Sequence, residues 1–309
     1  MLVGMLLAGT LADVDSVSVW FGPAAYLAAR RTFTHSVLGT LVIVVIATFI
    51  VRGLDRQRRE TWSNILAATA YAALAHVLFD LCQSGGVALL WPFRGTHFAL
   101  DWLPNVDPWI FALLLAGVLL PEFFRLVSSE IGAKSKAPRG RNGALVALAL
   151  IVLYVGARGV LHFSSVALLD AHSYHGESPR RVATFADTLS LFTWHGVVET
   201  QSFVCMAEVP GGSGESFDAE SATCLHKPEE SAVLAAVQQS AVSRKFLSAA
   251  RIPRAAVDKT QDGYEVVIRD LRDVAEQETR RRVAEQILLD AAARIVSEQL
   301  IWAEDVHIR

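Results

Sequence analysis

The chain has 309 residues, 52% of them hydrophobic, and a formal net charge of -3 at pH 7. A net charge this close to zero provides no general basic field, which argues against a nucleic-acid-binding protein. Three cysteines without a CxxC pair exclude a disulfide-dense scaffold. The length predicts about two domains. Long apolar runs are confined to residues 1–163, whereas residues 164–309 have the composition of an ordinary soluble sequence.

The N-terminal stretch, residues 1–12, is apolar but short. It lacks the basic region and the small-residue cleavage site of a signal peptide, so we expect an uncleaved helix. A stretch of about 12 residues cannot cross a hydrocarbon core ~30 Å thick. We therefore expect either a half-inserted segment or a native start that lies further upstream.

Four longer apolar stretches follow, and each approaches the roughly 20 residues that cross a bilayer as a helix. They cover residues 34–54, 64–81, 108–127 and 143–163. The second is the weakest, because it contains His76 and Asp80. Residues 85–93 are also apolar but shorter, which is typical of a re-entrant or interfacial segment.

Lys and Arg are unevenly distributed over the predicted loops. The loop at 52–60 carries four Arg and the stretch at 125–142 carries five Lys or Arg, against three Arg at 30, 31 and 94. Because cytoplasmic loops carry an excess of Lys and Arg, we place these two loops in the cytoplasm. The last span then delivers residues 164–309 to the outer side. Five polar residues share the outer membrane face in this topology: Asp13, Asp15, His35, His76 and Asp80.

The C-terminal part has the pattern of an α+β domain. Strands are predicted over 196–209, 217–225 and 264–269, with a Gly-rich turn at 211–214, and helices over 229–250 and 275–302. Cys205 and Cys224 fall on two strands of one predicted hairpin, so an oxidising exterior would permit a bridge between them. The alternative is two small buried residues. The predicted fold is therefore mainly α: a multi-pass transmembrane helical domain (1–163), then a smaller extracytoplasmic α+β domain (164–309).

His76 and Asp80 are four residues apart and hence lie on one face of a helix. Two ligands on one helical face is the arrangement found in helix-borne zinc sites. Ionisable side chains inside a span are costly, which makes them candidates for a functional site. The alternative is that the two side chains only hydrogen-bond each other and cap the helix end.

The remaining polar residues are weaker signals when each is taken alone. Asp13 and Asp15 alternate around one Val, but Asp-rich turns at helix ends are common. His35 lies between two hydroxyl residues that could orient its ring, although a helix-start His in the headgroup region is the alternative. Arg31 near a metal could hold a phosphate or carboxylate. Arg30 and Arg31 more often extend to lipid phosphates.

Taken in order, these motifs resemble those of the membrane-bound metal-dependent hydrolases of the YdjM-like family. The matching pieces are Asp13-Val14-Asp15, Arg31-Thr32-Phe33-Thr34-His35-Ser36, His76-Val77-Leu78-Phe79-Asp80, Gly86-Val87, Leu90-Trp91-Pro92-Phe93 and Asn105-Val106-Asp107-Pro108. The likeness is good over residues 1–110 and loose beyond them. No single motif is specific to the family, but the combination of these motifs in this order is. Arg30 stands where the family usually has its first His, and Ala12 where it usually has Pro.

The resemblance implies a multi-pass bacterial inner-membrane protein that uses a divalent metal of the zinc class for hydrolysis at the outer face. The expected metal ligands are Asp13, Asp15, His35, His76 and Asp80. Catalytic roles are expected for Asp13, Arg31, His35 and Asp80. A carboxylate not fully engaged with the metal would serve as general base, and Arg31 would steady an anionic leaving group. The position at the membrane face suggests a lipid or lipid-linked ester as substrate, and phosphate esters and amides are the alternatives.

Other classes of function compete with hydrolysis. The polar cluster could be structural, in a non-catalytic membrane protein whose outer domain binds an envelope partner. Transport is disfavoured, because its polar residues should lie near the bilayer midplane. Ser36 and Ser173 lack the context of a nucleophile elbow, which disfavours a serine hydrolase. For a metal site, the five ligand side chains should converge within about 5 Å of one point, with Arg31 at the edge and Arg30 not coordinating.

Overall fold

The computed structural model describes residues 2–55, 60–130, 141–212, 217–229, 231–272 and 282–303, without the side chains of 127–130. Some of the predictions above concern residues outside these ranges. They include Arg56, Arg58 and Arg59 of one predicted cytoplasmic loop, Lys134, Lys136 and Arg139 of the other, Ser213 and Gly214 of the predicted turn, and residues 275–281 of a predicted helix.

The described helices are α1 (Leu2–Leu11), α2 (Pro23–Ala29), α3 (Val37–Leu54), α4 (Trp62–Cys82), α5 (Pro108–Glu130), α6 (Arg141–Asp170), α7 (Ala232–Gln239) and α8 (Ala241–Ala249). A 3-10 helix, Ala12–Phe21, continues directly from α1. The strands are β1 (Arg181–Ala186), β2 (Thr193–Glu199), β3 (Phe203–Pro210), β4 (Thr223–His226), β5 (Pro253–Lys259), β6 (Gly263–Asp270), β7 (Val283–Asp290) and β8 (Ile295–Trp302).

Five helical stretches of the described chain are long and apolar enough to cross a membrane. Four of them are α3 to α6, at the positions that hydropathy predicts. The fifth, Leu2–Phe21, is longer than the predicted N-terminal segment, because the helical backbone does not stop at Asp13 and Asp15. Residues 85–93, predicted as a re-entrant or interfacial segment, lie mainly in turns, and Val87 pairs with Phe98 in an isolated β-bridge.

The membrane-spanning helices pack in two groups through small residues. α1, α3 and α4 contact one another, and a buried cluster between them contains Ala8, Val44, Ala47 and Ala73. Thr48 and Thr69 hydrogen-bond across α3 and α4 at 2.8 Å. In the α5–α6 pair, a Cβ added at Gly117 would lie 2.5 Å from the Ala147 side chain. Such contacts let helix backbones approach closely where no hydrophobic force acts between helices.

The C-terminal part contains two four-stranded antiparallel sheets, in the orders β1-β2-β3-β4 and β5-β6-β7-β8. This confirms the predicted combination of helices and strands. α7 and α8 cover the second sheet, where Val237 and Phe246 pack on Val266 and Ile287. Cys205 and Cys224 are direct partners in the register of β3 and β4 and form the predicted disulfide.

Two predicted helices are wrong in detail. The helix predicted over 229–250 is two helices, α7 and α8, because the Ser240 hydroxyl caps the start of α8 by accepting from the Val242 and Ser243 amides. The region predicted as a helix up to Trp302 contains β7 and β8. Glu285 occupies an inward position of β7, fully buried and bonded to the Ser243 hydroxyl at 2.7 Å. A charged residue at an inward position hides the two-residue alternation that would have indicated a strand.

The C-terminal part packs against the same end of the helices where the predicted polar cluster lies. Arg251, which follows α8, donates to both carboxylate oxygens of Asp101 at 2.5 and 2.8 Å. It also donates to the Ser84 carbonyl at 3.1 Å. Tyr26 of α2 contacts the ring of Trp302 at the end of β8. The second sheet therefore adjoins the loops that connect the spans.

Candidate metal centre

The loop between α2 and α3 delivers His35 into the helix bundle. The Ser36 hydroxyl caps α3 by accepting from the Gly39 amide at 3.0 Å, as expected for a helix N-terminus. A Cβ added at Gly39 would lie 1.7 Å from the Phe33 carbonyl oxygen, so the loop folds back over α3 only because position 39 is a glycine. His35 is completely buried as a result.

Three separate segments supply the group of residues that we call the metal centre. Asp13 comes from the 3-10 helix, His35 from the α2–α3 loop, and His76 and Asp80 from α4. One ligand atom from each of these four residues lies within 4.8 Å of all the others. His76 and Asp80 share a helical face, as their spacing predicts. Only helix packing brings the other two residues to them.

The distances within the metal centre suit a single ion. Nε2 of His35 lies 2.8 Å from Oδ2 of Asp80 and 3.3 Å from Nε2 of His76. Oδ1 of Asp13 lies 3.6 Å from Nε2 of His76 and 4.0 Å from Nε2 of His35. Four ligands at ~2.0–2.2 Å from a tetrahedral ion are about 3.3–3.6 Å apart. The observed distances bracket that range.

The chemistry of these side chains also fits a cation. Oδ2 of Asp80 is buried among ring nitrogens, 2.8 Å from Nε2 of His35 and 3.5 Å from Nε2 of His76. The Nε2 atoms of two imidazoles point toward the same region. Buried acceptor atoms are costly unless a donor or a cation satisfies them. A divalent ion would satisfy these nitrogen and oxygen atoms together.

Asp15, predicted as a metal ligand, lies outside this group of four. Its Oδ2 accepts hydrogen bonds from the Arg31 amide at 2.6 Å and the Thr34 hydroxyl at 3.1 Å. The same atom lies 3.3 Å from Nδ1 of His35, on the side of the ring opposite to the cluster. Asp15 therefore orients His35, as carboxylates commonly do for metal-binding histidines. The Thr34 hydroxyl lies 2.9 Å from Nδ1 of His35, where an orienting partner is expected, whereas the Ser36 hydroxyl caps α3.

Arg31 lies at the edge of the metal centre. Its backbone φ is 51°, a left-handed conformation that directs the side chain inward. Nη2 donates to Oδ1 of Asp80 at 3.1 Å and to Oε1 of Gln83 at 2.5 Å. Gly85 leaves room for this guanidinium, since an added Cβ would lie 2.2 Å from Nη1. Arg30 lies over the Tyr26 ring, with its guanidinium carbon 5.3 Å from the ring centroid.

An open cleft of about 760 Å³ borders the metal centre on the side of Asp13 and His76. Its lining includes Gln83 and Asn105, neither of which is among the site residues predicted from the sequence. The sequence does contain a signal that could have identified Asn105, because this residue begins the Asn-Val-Asp-Pro motif. Asp107 of the same motif instead caps α5, accepting from the Trp109 and Ile110 amides.

Metal binding to His35 depends on whether its ring is protonated. Burial favours its neutral ring, but hydrogen bonds to Asp15 and Asp80 outweigh burial and raise the pKa of His35 above its ordinary value. A proton and a metal ion therefore compete for Nε2. We expect metal affinity to fall as the pH is lowered.

Substituting Asp15→Asn tests the orienting role. The change keeps the size of the side chain but removes the charge beside Nδ1 of His35, so metal affinity should fall about 10–100-fold. A competition titration against a chelating metal indicator measures this change. Asp258→Asn, at an exposed position of β5, is the matched control and should not alter affinity. Equal metal affinities for Asp15→Asn and Asp258→Asn would contradict the orienting role of Asp15.

Comparisons with known proteins bear on the same part of the chain. Residues 1–164 match the model of the YdjM inner membrane protein family. The chain is also 30% identical over 115 residues to "Uncharacterized protein YfhP" of Bacillus subtilis (strain 168). That alignment covers 37% of this chain and 35% of the relative, so it spans about a third of the relative's length. No solved structure matches.

The family model covers more than half of the 309 residues and includes the four residues of the metal centre together with Asp15 and Arg31. This chain therefore belongs to the YdjM inner membrane protein family.

Proposed function

We propose that this multi-pass inner-membrane protein is a metal-dependent hydrolase that acts at the outer membrane face on a lipid or lipid-linked ester. The observation that carries the proposal is the convergence of Asp13, His35, His76 and Asp80 from three separate segments to within 4.8 Å. Nothing in local helix structure requires this convergence. An open cleft beside it provides access for a substrate.

Two imidazole nitrogens and two carboxylate oxygens are donors that suit zinc. Magnesium and calcium sites use oxygen ligands almost exclusively, which makes them poorer candidates for a centre with two histidines. A bound divalent ion would lower the pKa of a water molecule toward neutrality and polarise an ester. The residues of the chain then have separate tasks.

Asp13 is the carboxylate we assign as general base, so that His35, His76 and Asp80 would hold a catalytic ion and leave its fourth position for water. Its side chain is 60% exposed and lies at the cleft, whereas the Asp80 side chain is only 8% exposed and lies between His35 and Arg31. His35 and Asp80 are enclosed by buried surroundings. Arg31 lines the cleft with its guanidinium fixed on Asp80 and Gln83. It supplies a positive charge where negative charge would develop on a leaving group.

Exposed aromatic residues support a position of the metal centre at the membrane interface. Trp20 and Phe21 are 81% and 76% exposed at the end of the first span, and Trp109 is exposed at the start of α5. Trp91 and Phe93 lie in the turns that follow α4, also with exposed side chains. Aromatic residues of this kind concentrate at the headgroup level of membranes. A lipid substrate would therefore meet the cleft at its own headgroup depth.

The proposed topology has a direct test. Loops 52–60 and 128–142 should be cytoplasmic and residues 164–309 extracytoplasmic, because Lys and Arg are concentrated in the two loops. Reporter fusions after Arg59 and after Ser173 should report opposite compartments. The same compartment for both fusions would contradict this topology and the outer-face site with it.

Hydrolysis is tested with the full chain, purified without a tag so that added histidines bind no metal. Elemental analysis should find about one zinc-class ion per chain, the number that one four-ligand site binds. Hydrolysis should then be measured on phospholipids, lipid-linked esters, phosphate esters and amides, before and after removal and restoration of zinc. Asp13→Asn should lower turnover about 10²–10⁴-fold, as loss of a general base does, and Asp258→Asn should not. Absence of both metal and hydrolysis would favour a non-catalytic protein that binds an envelope partner.

A further inference from the structure

The loop between β1 and β2, residues 187–192, exposes large apolar side chains. Leu189 is 74% exposed and Phe192 is 62% exposed. Single exposed apolar residues are normal on a soluble surface, whereas clustered ones mark an interaction site. Two such side chains in so short a loop therefore indicate that something other than water covers them.

The β1–β2 loop is held against α5 and α6, two of the membrane spans. Arg158 of α6 is buried and donates to the carbonyls of Ser190 at 3.2 Å and Leu191 at 2.6 Å. Nε1 of Trp109, in the first turn of α5, donates to the Leu189 carbonyl at 3.0 Å. The position of the loop is therefore set by the spans and not by the sheet alone.

Trp109 indicates the depth of the loop in the membrane. Trp side chains at the ends of spans concentrate at the headgroup level. Further along α5, Phe111, Leu114 and Leu115 are exposed, as expected for apolar side chains that face lipid. Because Trp109 donates to the Leu189 carbonyl, the backbone of the loop lies at the boundary between headgroups and hydrocarbon.

The backbone of the β1–β2 loop finds hydrogen-bond partners within the protein. The amides of Leu189 and Ser190 donate to Oδ1 of Asp187 at 2.8 and 2.6 Å. The amides of Phe192 and Thr193 donate to the Ser190 hydroxyl oxygen at 3.3 and 3.0 Å. Three loop carbonyls accept from side chains of α5 and α6, as given above. Polar backbone groups enter hydrocarbon only when the protein satisfies them, so these bonds make the loop compatible with burial in lipid.

Asp187 is the charged residue of the loop sequence, and its carboxylate is engaged within the protein. Oδ1 accepts the two loop amides, and Oδ2 lies 3.1 Å from Nε2 of His195 on β2. Unpaired charges near hydrocarbon are costly, whereas this carboxylate has partners and directly follows β1 at the base of the loop. The part of the loop that carries Leu189 and Phe192 is therefore uncharged.

We propose that the β1–β2 loop inserts Leu189 and Phe192 into the bilayer, among the upper acyl chains of the leaflet at which α5 begins. The partner is membrane lipid, recognised through its hydrocarbon and not through a specific headgroup. The C-terminal part is then attached to the membrane at a second place besides its covalent link to α6. This attachment holds the first sheet at the membrane surface, whether or not the metal centre is catalytic.

The test measures the depth of nitroxide labels on the full chain in phosphatidylcholine nanodiscs. Leu189→Cys and Phe192→Cys are each labelled in a Cys82→Ala background, because Cys82 is the free cysteine. The disulfide of Cys205 and Cys224 does not react with the label. Electron paramagnetic resonance gives the collision rates of the label with oxygen, which concentrates in hydrocarbon, and with a nickel chelate, which stays in water. The logarithm of the oxygen-to-nickel ratio should be positive at both loop positions.

Gln201→Cys is the matched control, because Gln201 is exposed in the turn between β2 and β3. This turn lies at the opposite end of the seven-residue strand β2, roughly 20 Å from the loop, so its logarithm should be negative. Phe111→Cys, on the lipid-facing side of α5, should give a positive value and calibrates the hydrocarbon signal. Unchanged thermal unfolding of each variant verifies that it is folded.

Values at positions 189 and 192 that equal the value at position 201 would overturn the inference, because the loop would then lie in water. Slow collisions with both reagents would overturn it as well, since they would show that protein, such as a second copy of the chain, covers the loop. Positive values at both loop positions, with a negative value at position 201, would establish lipid as the partner.

Discussion

Replacing His76 with Ala is expected to reduce the affinity for a divalent metal by at least ~100-fold, more than the loss of an orienting partner costs. His76 supplies one of four convergent ligand atoms, and its Nε2 lies 3.3 to 3.6 Å from the ligand atoms of His35, Asp80 and Asp13. Removing it takes away one of the two imidazole ligands and opens the site toward the cleft. Elemental analysis of the purified protein should therefore find little bound metal, and hydrolysis should be lost with it.

His226→Ala is the matched control for this experiment. His226 is exposed on β4, where it contacts the Phe203 ring far along the chain from the metal centre. This variant should bind as much metal as the unmodified protein. If His76→Ala retained its metal at the same affinity, the four-residue centre would not be the metal site, and the proposed hydrolase would lose its main support.

Replacing Arg31 with Met is expected to destabilise the metal-free protein by about 1–3 kcal/mol, because it removes a charged hydrogen bond from the buried Asp80 carboxylate and leaves His35 and His76 as its partners. The two side chains are 10% and 8% exposed, so solvent screens their interaction little. A bound divalent ion would also neutralise Asp80. The destabilisation should therefore be clearly smaller in zinc-loaded protein, which thermal and denaturant unfolding in detergent can measure in parallel.

Arg294→Met provides the comparison, since it removes an Arg that pairs with Asp290 at an exposed position. Exposed pairs contribute little to stability, about 0–1 kcal/mol. Its effect should be small and independent of zinc. Equal destabilisation of Arg31→Met with and without zinc would indicate that Arg31 acts only in packing and not on the charge of the metal centre.

The transmembrane part follows closely from sequence. Uninterrupted apolar runs of the length of a bilayer leave a helix as the structure that satisfies every backbone hydrogen bond. The four predicted spans coincide with α3 to α6 for this reason. The N-terminal stretch was underestimated, since Asp13 and Asp15 resemble a helix end in sequence while the backbone remains helical to Phe21.

The C-terminal part follows less closely, because there the periodicity of the sequence is ambiguous. Tyr264 to Arg269 alternates cleanly and forms β6. β7 and β8 contain apolar residues that also fit helical spacing, and the buried Glu285 interrupts their alternation. Only pairing with β6 and the hydrogen bond from Ser243 make a strand the favourable structure there.

Sequence by itself determined the membrane spans, the shared face of His76 and Asp80, and the set of residues from which a metal centre could be built. Each of these depends on spacing within one helix or on the length of one apolar run. Tertiary structure alone decided which carboxylate enters the centre. Asp13 and Asp15 are two residues apart, yet Asp13 meets the two imidazole Nε2 atoms while Asp15 binds the Arg31 amide and Nδ1 of His35. That difference is set by the packing of α1, α3 and α4 and by the left-handed backbone of Arg31. Both concern segments that are distant in the chain, so residue spacing within one helix does not predict them.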